Sequence, residues 1–197
     1  MDTPALDDPL IRFHAWLDDA RKRGLIEPTA MALATTDTCG TPSVRMVLLK
    51  HADAQGFVFY TNLESPKALA LRAHPRAELC FYWNPPGRQV RVSGPVHAVT
   101  EDEADAYFAS RPYHSRIGAW ASEQSRPAPG PFALTRRVAL FGLRWASGAV
   151  PRPPHWGGFR VTPERMEFWQ EKPYRLHERV RYERDSNGAW DTTPLYP

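Results

Sequence analysis

Arg175, His177 and Arg179 stand at alternate positions near the C-terminus. In an extended strand, residues i, i+2 and i+4 share one face, about 7 Å apart at each step. The three would form a row of two guanidiniums and an imidazole, with Leu176 and Glu178 on the other side. Such a row suits a phosphate, a carboxylate or the polar edge of a heteroaromatic ring. The plainer alternative is a solvated edge strand whose charges resist aggregation. Tyr107, Arg111 and Ser115 lie close in sequence and offer two hydroxyls and a guanidinium, a pattern for clamping phosphate. Equally, Arg111 could complement a helix dipole. Lys67 follows Ser65-Pro66 at an expected helix N-terminus, where free N–H groups attract anions. Arg45 and Lys50 bracket Met46-Val47-Leu48-Leu49. That segment reads either as a buried strand with exposed ends or as two cations reaching a phosphate from a barrel rim. Gln89 has the donor and acceptor to meet a heterocycle's edge if it faces inward. Gln124-Ser125 adds a polar pair. In a strand, one of Phe168 and Trp169 faces outward, where a tryptophan could cover a flat ligand.

The elements that must position these groups are signalled locally. Asp8 as cap, Pro9 at the first position and the stripe Leu10, Phe13, Trp16, Leu17, Ala20 predict a helix ending at Gly24. Strands are expected over 30–36, 43–50, 56–61, 77–83 and 88–96. Turn chemistry at Asp37-Thr38-Cys39-Gly40 and Asp53-Ala54-Gln55-Gly56 makes the early pairings antiparallel. Ser65-Pro66-Lys67 opens a short helix that runs to Arg72. The capping box at Thr100-Glu101-Asp102-Glu103 starts another, which ends near Ser110. Residues 112–122 read as a loop or short helix, and 132–145 as a helix. Strands over 156–161, 166–170, 174–182 and 189–192 follow. Some nine strands and three to five helices without βαβ alternation predict an α+β fold. A Greek-key-like or split antiparallel barrel with peripheral helices, one domain over 1–197, is expected, with residues 1–7 as a flexible lead.

Composition narrows the function. The 197 residues are 42% hydrophobic and 12% aromatic, as in an ordinary globular protein. There are twenty prolines, with clusters at 127–131, 151–154 and 194–197, which suits rigid loops within a fold. The net charge of +3 comes without a long Lys/Arg block, which fits small phosphorylated molecules better than nucleic acid. Cys39 and Cys80 have no metal-ligand spacing, so a reduced pair and no metal are expected. No apolar leader precedes the first helix and no run is long enough to span a membrane, so a cytoplasmic protein is expected. The phosphate-binding glycine loops, the His-Glu-x-x-His zinc motif and the Gly-x-Ser-x-Gly elbow are all missing.

Read in order, Arg45-Met-Val-Leu-Leu-Lys50, Tyr60-Thr61-Asn62, Arg88-Gln89-Val90 and Tyr107-Phe-x-Ser-Arg111-Pro form the first half of a longer pattern. Ile117-Gly-Ala-Trp-Ala-Ser122, Gln124-Ser125, Trp156-Gly-Gly-Phe-Arg160, Glu167-Phe-Trp169 and Arg175-Leu-His-Glu-Arg179 complete it. The pattern closely resembles the pyridoxine (pyridoxamine) 5′-phosphate oxidase family, from about Asp8 to Pro197. The resemblance implies an FMN-binding split barrel, working as a homodimer with FMN at the subunit interface. It implies oxidation of pyridoxine or pyridoxamine 5′-phosphate to pyridoxal 5′-phosphate, with O₂ as acceptor and hydrogen peroxide released. By the matching motifs, Arg45, Met46, Val47, Leu48, Leu49, Lys50, Tyr60, Thr61, Lys67, Gln89, Gln124, Ser125, Trp169 and Arg179 would hold FMN. Lys50, Tyr107, Arg111 and Ser115 would hold the substrate phosphate, while Arg175 and His177 would lie over the pyridine ring as the catalytic pair. Two departures stand out. Ser65-Pro66-Lys67 occupies the place of the family's usual Ser-Arg-Lys, which removes one guanidinium from the FMN phosphate. Only seven residues precede Asp8, where relatives carry a basic and aromatic segment that can fold over the site. The competing readings are a phenazine-pathway oxidase on the same barrel, a non-catalytic flavin or pyridoxal-phosphate carrier, and a basic nucleic-acid module.

Overall fold

Asp8 closes the start of the first helix, its Oδ1 accepting from the Leu10 N–H at 2.7 Å, and Pro9 takes the first turn. The helix ends where Gly24, at φ +75°, lets Leu25 N–H reach back to Ala20 O and its own N–H to Arg21 O. The computed structural model describes residues 8–146 and 148–197; the lead expected over 1–7 lies outside them. In chain order the elements are α1 (Pro9–Lys22), β1 (Ala30–Thr36), β2 (Pro42–Leu48), β3 (His51–Asp53), β4 (Gly56–Asn62), α2 (Pro66–Ala73), β5 (Arg76–Trp83) and β6 (Arg88–Ala98). Then come α3 (Glu101–Ser110), α4 (Tyr113–Ala121), α5 (Ala133–Arg144), β7 (Trp156–Val161), β8 (Arg165–Gln170), a 3₁₀ turn (Pro173–Arg175), β9 (Glu178–Arg184) and β10 (Trp190–Leu195).

All pairings are antiparallel, and the strand order is β10-β9-β8-β6-β5-β1-β2, with β7 and β4 branching from β6 and β3 following β4. The long β6 makes the split. It pairs β8 from Arg88 to Ser93, then turns away and pairs β7 from Val96 to Ala98. Gly94 and Pro95 fill the corner between the two ladders. The curled sheet closes round α1, whose Phe13 ring sits edge-on to Phe57 at 4.9 Å and to Phe81 at 5.0 Å. Phe13, Met31, Leu33, Leu79, Phe81, Val90, Val92 and Phe168 are buried in this core. Period-2 alternation puts them inside and puts Glu78, Cys80, Tyr82, Gln89, Arg91 and Trp169 on the outer face.

Two expectations are corrected and one open reading is decided. The apolar middle of β2 is only half core: Val47 packs against the core, but Val44 and Met46 are 68% and 64% exposed, because β2 is an edge strand bonded to β1 alone among the strands. Of the two readings of 112–122, loop or short helix, the helix holds: Tyr113–Ala121 form α4, packed on α5. The last strand pair is shifted, with β9 beginning at Glu178 and not at Tyr174. A Cβ on Gly94 would overlap the Thr162 carbonyl oxygen and lie 3.0 Å from its carbon, both backbone atoms that cannot swing aside. Gly94→Ala should therefore cost about 2–4 kcal/mol in chemical denaturation; a loss within ~0.5 kcal/mol would contradict the corner's role.

Candidate active site

The Arg111-Pro112 dipeptide makes the corner on which one wall of the site is built. Proline excludes the helical conformation from the residue before it, so α3 stops at Ser110 and Arg111 is extended at ψ 147°. Tyr107 and Arg111, four residues apart, fall on one face. Pro112 then stands immediately before α4, and Ser115 lies in its first turn. The opposite wall comes from the ends of β2 and β4 and the start of α2. Met46, Val47, Leu48, Lys50, Tyr60 and Thr61 line a cleft of about 800 Å³ together with Lys67, Tyr107, Arg111, Ser115 and Gln124. Asn62, Ser110, Gly118, Ala119, Ser122 and Trp156 complete much of the rest. Three of the lining residues are cations, and none is an Asp or Glu.

Lys67 is the most tightly held. Its ammonium donates to Thr61 Oγ1 at 3.1 Å, Ser65 Oγ at 3.1 Å and Gln124 Oε1 at 3.2 Å, while Thr61 Oγ1 donates to Gln124 Oε1 at 3.3 Å. Ser65 precedes α2, yet its hydroxyl donates to Asn62 O and receives Lys67 in place of capping the helix. Burial, and then the nearby Arg45 charge, push Lys67 below the ordinary lysine value. Arg45 is tied back to Leu33 O, Thr35 Oγ1 and Ser43 Oγ, and burial lowers it too. Arg111 has no carboxylate partner among the described residues, its Nη1 is buried without a hydrogen bond, and burial lowers its pKa. Its guanidinium lies 5.0 Å from the Trp156 ring centroid. Tyr60 stacks 4.2 Å from Tyr107 and 5.1 Å from Trp156, at interplanar angles of 11° and 4°. Partly buried cations gathered with no acid among them make an anion site.

The remaining expected residues lie elsewhere. Leu49 points into the core, and Ser125 is exposed beside Gln124 at φ +69°. Gln89, Trp169 and Arg179 are register partners in a row across β6, β8 and β9 on the outer sheet face. Four strand steps separate β8 from β2, roughly 19 Å along the ladder. The expected row of Arg175, His177 and Arg179 is not formed. Tyr174 and Arg175 have φ of +59° and +62°, so this segment is a tight turn in which alternation fails. Arg175 is exposed. His177 packs 4.7 Å from Trp169, and its Nδ1 accepts the Lys172 N–H at 3.2 Å, which leaves the neutral ring's proton on Nε2. Arg179 donates to Glu167 Oε1 and Tyr196 O. Sequence reasoning missed the part played by Trp156, which meets Tyr107 and Arg111 only through the fold.

The split antiparallel barrel is also the architecture of a solved FMN-binding protein from Nostoc punctiforme related to pyridoxamine 5′-phosphate oxidase. It superposes with TM-score 0.77 over 96% of this chain and 98% of its own, at 18% identity. The pattern of the pyridoxamine 5′-phosphate oxidase family matches residues 17–142, and that of the pyridoxine 5′-phosphate oxidase C-terminal dimerisation region matches 156–197. The chain belongs to the pyridoxamine 5′-phosphate oxidase family. Pyridoxine/pyridoxamine 5′-phosphate oxidases of Rhodospirillum rubrum and Caulobacter vibrioides are 58% and 54% identical to it, covering 96% and 97% of this chain and 96% and 86% of theirs. PhzG from Burkholderia lata, solved with tetrahydrophenazine-1-carboxylic acid, is 34% identical with TM-score 0.93, over 100% of this chain and 98% of its own. Among the described residues no helix is long and apolar enough to cross a membrane, and no His/Cys/Asp/Glu group could hold a metal ion.

Arg111→Ala should leave the ligand-free protein within about 1 kcal/mol of wild type, because it removes a buried cation that has no partner. The same variant should lose the rise in melting temperature that inorganic phosphate gives the wild type. A large loss of stability, or an undiminished phosphate effect, would contradict the anion site.

Proposed function

We propose that this protein is an FMN-dependent oxidase that converts pyridoxine 5′-phosphate or pyridoxamine 5′-phosphate to pyridoxal 5′-phosphate. The observation that carries this is a cleft lined by Lys50, Lys67 and Arg111 with no acid on its walls, in a chain of this family. The donor set fits FMN and a phosphorylated substrate together: two anionic ends require two groups of cations, and a cleft of about 800 Å³ has room for aromatic rings between them. Lys67, Arg45, Thr61 and Gln124, with Ser125, would hold the flavin phosphate and ribityl chain. The backbone of 46–50 and Tyr60 would line its ring. Arg111, Ser115, Tyr107 and Lys50 would hold the substrate phosphate. Bound FMN would supply the redox chemistry, taking a hydride from the substrate's C4′ and passing electrons to O₂, which leaves as hydrogen peroxide. The chain's own work is to bind, orient and exclude water.

In this reading the described chain acts as one unit and the site is completed by a second copy. Gln89, Trp169 and Arg179 lie on the outer sheet face, His177 packs on Trp169, Arg175 stands exposed in the turn before β9, and none of the five lines the chain's own cleft. Val44, Met46 and Leu48 on β2 and Leu134, Leu140 and Leu143 on α5 are exposed apolar residues of the kind a partner covers. The family's C-terminal dimerisation region spans β7 to β10. A facing protomer would bring its Trp169 and Arg179 to the flavin, and its Arg175 and His177 to the pyridine ring.

Anaerobic addition of pyridoxine 5′-phosphate to the FMN-loaded protein should bleach the flavin, with peroxide formed when air is admitted. A flavin that never bleaches would leave a carrier. Turnover of a reduced phenazine carboxylate in preference to the phosphorylated substrate would favour the reading that PhzG suggests. Pro66→Arg should tighten FMN about tenfold to a hundredfold by restoring a charge-assisted bond; unchanged affinity would show that Arg45 and Lys67 suffice. Arg175→Ala should damage turnover far more than FMN binding, and Arg179→Ala the reverse; identical profiles would refute the division of roles.

A further inference from the structure

Arg111 raises a problem that its proposed role does not solve. Arg111 is half-buried with its Nη1 out of solvent, and a guanidinium with a buried nitrogen is ordinarily held by a carboxylate. Here none is within ion-pair distance among the described residues, and Nη1 has no partner at all. Its central carbon instead stands 5.0 Å from the ring centroid of Trp156 and 5.7 Å from that of Phe108. An indole face attracts a cation through its quadrupole without accepting an N–H from it. A carboxylate there would neutralise the charge and use the donors that a ligand needs.

The indole is itself held still. Its ring lies parallel to Tyr60, which stacks on Tyr107. The Trp156 backbone carbonyl accepts from Arg152 Nη1 at 2.8 Å, and the same guanidinium pairs with Glu101 and with Asp105, the latter at 2.5 Å. Glu101 and Asp105 are on α3, the helix that carries Tyr107 and leads into Arg111. Arg152 therefore fastens the start of β7, where Trp156 stands, to the helix that presents the cation.

We propose that Trp156 is a positioning residue for phosphate recognition, holding the Arg111 guanidinium by its face so that the N–H edge stays charged and free for the substrate's phosphate. This rests on the reading of Arg111 as a phosphate ligand. It makes the cleft selective for phosphorylated substrates through a residue that need not touch the phosphate.

The test uses the FMN-loaded enzyme, pyridoxine 5′-phosphate as substrate and inorganic phosphate as competing probe. Trp156→Leu keeps an apolar side chain and removes the π face. It should raise KM and the phosphate inhibition constant together, each about tenfold, with kcat within about twofold. Trp156→Phe should bring both constants back to within about threefold of wild type. Arg111→Lys keeps the charge but cannot stack as a plane, and should lose phosphate affinity as badly as Trp156→Leu. A flavin-loaded Trp156→Leu enzyme with an unchanged phosphate constant would overturn the proposal. Should that variant not fold, an Arg111→Lys enzyme binding phosphate like wild type would overturn it instead. If wild type binds phosphate but does not oxidise the substrate, the oxidase reading falls, and calorimetric phosphate titration of the same variants still decides the role of Trp156.

Discussion

Cations gathered round one cleft repel one another, and burial raises the cost of each. Lys50, Lys67 and Arg111 nevertheless face the same space, with Arg45 close enough to act on Lys67, and no acidic side chain lines it. Much of the surrounding structure can be understood as what keeps them there. Thr61, Ser65 and Gln124 solvate Lys67 with neutral oxygens, carbonyl and hydroxyl groups tie down Arg45, and aromatic faces hold Arg111. Each device holds the cation without cancelling its charge, although Arg111 Nη1 is left without a hydrogen bond. The free energy for this comes from elsewhere, chiefly the barrel core round Phe13, and a site that destabilises its own scaffold is the expected cost of a prepared anion pocket.

The parts legible in the sequence are those governed by local chemistry. The Asp8-Pro9 start, the Gly24 stop and the Thr100–Glu103 capping box were readable because each rests on side-chain-to-backbone bonds a few residues apart. Strand alternation required one of Phe168 and Trp169 to face outward, and the fold decides that it is Trp169, with Phe168 buried. The wall residues Tyr107, Arg111 and Ser115 were readable because a helix and a proline corner bring near neighbours together.

What failed depended on tertiary context. The apolar segment after Arg45 has core composition, but its strand lies at an edge, and composition does not distinguish a core from a face awaiting a partner. The row at Arg175, His177 and Arg179 assumed extended backbone, whereas Tyr174 and Arg175 adopt positive φ without a glycine to announce it. Trp156 joins Tyr60 and Tyr107 across 49 and more positions of chain, beyond any periodic signal. The split of the expected cofactor residues between cleft and outer sheet face was equally invisible, since a motif list carries no geometry.

That split leads to the central claim, that each site is built from the cleft of one protomer and the sheet face of another. Complementation tests it most directly. One inactive variant carries Lys67→Ala in the cleft, and another carries Trp169→Ala on the sheet face. Unfolded and refolded together, they form mixed dimers in which one of the two sites is wholly wild type. A shared site predicts recovery of about a quarter of wild-type activity from an equal mixture, because half of the dimers are mixed and each has one intact site. Failure to recover activity, with mixed dimers demonstrably formed, would mean that both groups of residues serve a site within one protomer, contrary to the arrangement proposed.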